Sequence, residues 1–164
     1  MRYPARVNPE IATYAASIRT RLERVVACLD GLSEAQLNWR PTVDEGNSAY
    51  ALAAHTLGNA RAWVLGIACG RDVGRDRPGE FAATGQSAAR LRDDLARLTA
   101  EITEALAALD PARLDHRFVP PQVLRGGTQT HEISVRDALM QVIEHASLHL
   151  GHIQLTRDLA LKQA

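Results

Sequence analysis

The sequence has no hydrophobic run long enough to cross a bilayer. Its longest apolar stretches, such as Trp63 to Cys69, stop far short of the ~20 residues that a membrane helix needs. The opening segment, MRYPARVNPE, lacks the apolar core of a signal peptide. These absences lead us to expect a cytoplasmic protein with no membrane partner. Excess charge of either sign is missing too. Nineteen basic residues balance 19 acidic ones, so there is no basic stripe of the kind that binds nucleic acid. Cysteine occurs only at Cys28 and Cys69, with neither a CxxC pair nor a disulfide framework, and both read as small buried hydrophobes in a reducing compartment. No phosphate loop, strand-linked GxGxxG or serine nucleophile elbow is present. Gly126-Gly127-Thr128 reads as a turn rather than an anion-binding nest.

What remains is a chain of 164 residues, 46% of them apolar, enough for one domain with a hydrophobic core. Aromatics are few while Ala, Leu and Arg abound, which favours helices over strands. From about Pro9 to Leu29, apolar residues recur at Ile11, Ala15, Ile18, Leu22, Val25 and Leu29, in the alternating steps of four and three that make one buried helical stripe. Asn8 can cap that helix with Pro9 at its first position, and Asp30-Gly31 can end it. A second helix, about Ser48 to Ala68, is apolar almost all round and should lie deep. A third, about Ser87 to Leu109, carries Leu91, Leu95, Leu98, Ile102, Leu106 and Leu109, and stops at Asp110-Pro111. The fourth runs from about Val135 to Leu161, opened by Ser134 with Asp137 three places on, a capping-box variant. The pattern predicts an all-α protein, an antiparallel four-helix bundle with two long connections, Gly70 to Gln86 and Pro111 to Ile133. Connections of that length inside one domain usually carry function or partner contacts rather than mere linkage.

Three of the six histidines, His145, His149 and His152, fall on one side of the fourth helix. At 100° per residue His149 lies about 40° round from His145, and His152 about 20° to the other side. Imidazoles at i and i+4 can converge on one ion, and a zinc-type site needs three or four protein ligands. The third candidate is His55, set in the apolar stretch AYALAAHTLG. A lone buried histidine is more often a hydrogen-bonded core residue, but an HxxxH pair and a buried histidine on a neighbouring helix together point to a metal. His152 reads as a residue behind the ligands or toward the substrate, or as a surface side chain. His116 and His131, on the long connection, are possible fourth ligands or simply solvated. No glutamate follows His145, so the HExxH arrangement with its general base is absent. Chemistry here would rest on the ion, through Lewis acidity or a lowered pKa of bound water or thiol.

The segments Leu37-Asn38-Trp39-Arg40-Pro41, Asn47-Ser48 leading into Leu52-Ala53-Ala54-His55, and Glu144-His145-Ala-Ser-Leu-His149-Leu-Gly151-His152-Ile-Gln154-Leu-Thr-Arg157 resemble the DinB-like superfamily of helical-bundle metalloproteins. The resemblance implies an often dimeric bundle with a metal on His55, His145 and His149. It also implies kinship with thiol S-transferases, in which the ion presents a low-molecular-weight thiol as thiolate to a small electrophile. His152 stands where glutamine often follows the glycine. His152, Arg157 and Asn59 are expected behind the ligands or at the substrate, and Arg61 and Arg157 are candidates to hold carboxylates of a thiol cofactor, the alternative being plain surface arginines. The expected cofactor is one divalent ion, Zn or Ni, with Fe or Mn compatible; the expected assembly is a homodimer. Two alternatives stand beside the transferase: a non-catalytic stress-response or ligand-binding bundle with a structural metal, and a metal-dependent hydrolase.

Overall fold

A computed structural model describes residues 8–44, 46–125 and 131–163. The Gly126-Gly127-Thr128 segment lies outside them. Each long helix expected from the periodicity is present, with ends set by local chemistry. Helix α1 (Pro9–Ala27) begins where the Asn8 side chain accepts hydrogen bonds from the Glu10 and Ile11 amides, and it buries Ile11, Ile18, Leu22 and Val25. Gly31, at φ 78°, takes the left-handed turn beyond its end. The short α2 (Glu34–Asn38) follows, nucleated by a Ser33–Gln36 capping box and pinned to the core by Leu37.

Helix α3 (Ala49–Ala60), capped by Ser48, is buried on nearly all sides. The expected second α-helix does not stay α to its end. Residues Arg61–Ala68 continue it as a π-helix, in which the Cys69 amide reaches back to the Val64 carbonyl. Such widened turns are uncommon and cluster near functional sites. Two residues past them Gly70, at φ 68°, turns the chain.

The first long connection holds a helix that periodicity does not reveal, α4 (Arg77–Ala82), opened by the Asp76 side chain on the Gly79 amide with proline in its first turn. Helix α5 (Ala89–Ala107) presents Leu91, Leu98, Ile102 and Leu106 to the core, with Leu95 only half-buried. The second connection contains a 3₁₀ turn (Pro111–Asp115), a short helix α6 (Gln122–Arg125) and two two-residue strands, β1 (Arg117–Phe118) and β2 (Ile133–Ser134). The strands pair antiparallel, Arg117 opposite Ser134 and Phe118 opposite Ile133, a small addition to an otherwise all-α protein. Helix α7 (Val135–Ala160) starts at the expected box, Ser134 and Asp137 bonding each other's backbone amides.

The four long elements share one core. Helix α7 packs against α1 and α3, and α5 packs against α1, enclosing Ile18, Leu22, Leu65, Leu106, Leu139 and Ile153. Burying residues of this size stabilises a fold by about 1.5–3 kcal/mol each. Cys28 is buried as expected, Cys69 only half so, and both are free thiols. No described helix is long and apolar enough to cross a membrane.

Candidate metal centre

The contact between α3 and α7 brings the three singled-out histidines together. Spacing of four places His145 and His149 on one face of α7, their ring centroids 4.4 Å apart. The ring of His55 on α3 stands 5.0 Å from the first and 5.1 Å from the second. One nitrogen from each of the three lies within 4.8 Å of the others. His55 is 3% exposed, and the α7 pair is half-buried.

Helix α4 fixes the orientation of His55. The Nδ1 of His55 lies 2.8 Å from Glu80 Oε2. Arg75 donates to the same carboxylate, Nε to Oε1 at 2.9 Å and Nη2 to Oε2 at 3.1 Å, and gives Nη1 to the Leu124 carbonyl. The side chains are nearly sealed from solvent, Arg75 at 2% and Glu80 at 10% exposed. Burial opposes ionisation of Glu80, but hydrogen bonds from His55 and Arg75, and the charge on Arg75, outweigh it and hold its pKa below the ordinary value. An ionised Glu80 only accepts hydrogen bonds, so the proton of a neutral His55 sits on Nδ1. The lone pair is then on Nε2, which faces His145 Nε2 at 3.1 Å. Phe81 stacks on the His55 ring at 4.1 Å between centroids and carries Arg77 over its own ring.

Close approach of α4 depends on Gly58, one turn beyond His55. A Cβ there would stand 2.2 Å from Glu80 Oε1, so the glycine leaves the space that the carboxylate occupies.

The α7 imidazoles are held neutral. Burial comes first, followed by the electrostatic penalty of charging a ring beside His149, His55, Arg75 and Arg77; together they lower the pKa of His145 to about 3. Burial, then His55 and His152, lowers that of His149 to about 4. Neutral imidazole is the form that binds a metal. The Nδ1 atoms of both are buried without a hydrogen-bond partner among the described residues.

These features fit a divalent ion. Two nitrogens each ~2.0–2.1 Å from one tetrahedral ion would stand about 3.4 Å apart, close to the 3.1 Å between the facing Nε2 atoms. The carboxylate behind His55 matches the pattern by which metal-binding histidines are oriented. His55, His145 and His149 would hold the ion. When bound, it would act as a Lewis acid and lower the pKa of a water or thiol ligand.

The other expected residues are placed more variously. His152 is exposed, its ring 5.5 Å from that of His149, and both line a cavity of about 400 Å³. Asn59 is buried one turn beyond His55, with Oδ1 unpartnered. Arg157 bonds its neighbour Asp158 through Nε and Nη2 at 2.9 and 2.7 Å. Arg61 bonds Glu101 of α5 at 2.8 Å. His116, stacked near Phe118, and His131 are exposed, and neither joins the cluster. Arg75 and Glu80 escape sequence reasoning, because in GRDVGRDRPGE they look like any solvated charges. The only local hint was the cap-and-proline pattern Asp76-Arg77-Pro78.

A mainly helical chain with three converging imidazoles and a cavity beside them defines a helical protein with a candidate mononuclear metal site. A family model of the DinB superfamily matches residues 17–153, well over half of the chain, and the protein belongs to that superfamily. No curated protein matches the sequence.

Proposed function

We propose that the protein is a metal-dependent enzyme of the thiol S-transferase type, an antiparallel four-helix bundle that binds one divalent ion through His55, His145 and His149. The observation that carries this reading is the convergence of three imidazole nitrogens backed by the Arg75–Glu80 pair. A purely structural ion is closed in by protein ligands, whereas a catalytic one keeps a position open. Three ligands with a cavity at His149 suit the second case. Zinc or nickel suits three nitrogens well, and iron or manganese is also compatible.

In this reaction a low-molecular-weight thiol loses its proton to solvent and its sulfur forms a bond to an electrophilic carbon. The leaving group departs with the electron pair of the bond that breaks. An unperturbed thiol with pKa near ~8.5 is mostly protonated at neutral pH, so a device that favours thiolate raises the rate. The protein's residues hold the ion's place, and Glu80 keeps His55 in the one tautomer that can ligate. His152, and Asn59 behind His55, are assigned to the ligands or substrate. A homodimer is part of the reading, supported by Leu148 and Leu159, which are exposed on α7 outside the cavity.

The test is metal content after growth with Zn, Ni, Mn and Fe supplied. Wild type should carry one ion per chain and His149→Ala much less. With the ion present, a chloro-nitroarene should consume thiol and release chloride. Wild type free of metal, or metal-loaded protein inert across several thiols, overturns the proposal.

A further inference from the structure

We propose that the cavity at His149 takes an uncharged ligand with an apolar body and discriminates against thiols that carry carboxylates. This inference rests on the metal-site reading above and specifies the ligand chemistry of that same site.

The cavity, about 400 Å³, is large enough for a small organic molecule. Its walls are supplied by Pro41 and Val43 of the segment after α2, Leu52 of α3, Phe81 of α4 and Leu155 of α7, with His149 and His152 on one side. Among the described residues, the only formally charged side chain in its lining is a carboxylate, Asp44. Apart from the ion at His149, an anionic ligand would meet no cationic side chain among the described lining residues and would face that like charge.

The neighbouring arginines are committed elsewhere. Arg40 gives its guanidinium to the carbonyls of Phe81 and Gly46 and to Asn47 Oδ1, which ties the 41–47 segment to α4. Arg75 is sealed against Glu80 and Leu124. Arg61 and Arg157, the two candidates for a cofactor's carboxylates, pair with Glu101 and Asp158. Neither lines the cavity. Arg77 has no carboxylate partner among the described residues, but it lies over the Phe81 ring, 4.9 Å from its centroid, and is not part of the lining. A site built for a carboxylate normally presents a forked guanidinium to it, and this cavity presents none. An uncharged body instead gains from burial against Leu52, Phe81 and Leu155.

The experiment compares two thiols that differ by one charge, 6-mercaptohexanoate and its methyl ester. The chain separating sulfur from carboxylate is too long for both to reach one ion comfortably. Each is titrated into cobalt-loaded protein at pH 7, and the sulfur-to-cobalt charge-transfer band reports occupancy without turnover. The ester should bind about threefold or more tightly than the acid, the size expected when one charge enters beside an exposed like charge. Asp44→Asn should narrow that ratio, and Arg77→Ala should leave it within about twofold. Equal or tighter binding of the acid overturns the inference while leaving the metal site intact. So does a ratio unchanged in Asp44→Asn. Protein that fails to take up cobalt, or takes it up and shows no sulfur band with either thiol, sinks the underlying reading and this inference with it.

Discussion

Replacing Gly58 by alanine opposes two effects of known sign. Gly58 lies inside α3, where alanine is favoured over glycine by about 1 kcal/mol. From helix propensity alone the variant should be more stable. The added Cβ, however, would stand 2.2 Å from Glu80 Oε1 and 2.5 Å from its Cδ. Ordinary van der Waals contact begins near 3.4 Å, so the carboxylate must retreat by roughly 1 Å. It cannot do so and keep both its 2.8 Å contact with His55 and its 2.9 Å bond from Arg75. Arg75 is 2% exposed, and breaking a buried pair of this kind costs about 3–5 kcal/mol. The net expectation is a loss of about 2–4 kcal/mol in the metal-free protein, the pair effect outweighing the propensity gain. With Glu80 displaced, the tautomer and plane of His55 are no longer fixed, and metal affinity should fall by about 10–100-fold. Urea unfolding of the metal-free protein measures the first quantity. Competition for zinc against a chromophoric chelator at pH 7 measures the second. A Gly58→Ala protein that is more stable than wild type, with unchanged zinc affinity, would refute the reasoning from α4 to His55.

Two further outcomes follow from the same geometry. Glu80→Gln keeps an oxygen that can accept from His55 but removes the charge opposite Arg75, so zinc affinity should drop by about tenfold or more; a chelator competition showing no change excludes Glu80 as a positioning residue. In metal-free protein, His145 and His149 stay neutral down to about pH 3 and 4, while an unfolded imidazole protonates near ~6.5. The unfolded state therefore binds more protons in that window, and stability should fall as pH drops from about 6.5 toward 4. The His145→Leu/His149→Leu double variant should show a shallower decline in urea midpoint over the same range, and equal slopes would contradict the assignment.

Much of the protein is written locally. The four long helices follow from apolar spacing, and their starts at Asn8, Ser48 and Ser134 follow from side chains that satisfy free amide donors at a helix end. That His145 and His149 share a face is a consequence of 3.6 residues per turn and needs no tertiary information. Short elements are another matter. The six residues of α4 are too few to display a period, and the two strands are defined only by each other.

What the chain alone could not decide is which distant groups meet. Nothing in the spacing of position 55 and position 80 says that a buried glutamate will stand behind a histidine, or that Arg75 will neutralise it. A local signal reports propensity along one helix, whereas a site between helices depends on packing and register. For the same reason Arg61 and Arg157 looked available as anion receptors, until the fold paired them with Glu101 and Asp158. The face that carries the candidate ligands was legible in sequence. Its carboxylate support, and the absence of a cationic side chain from the cavity's described lining, emerged only when α4 folded back over α3.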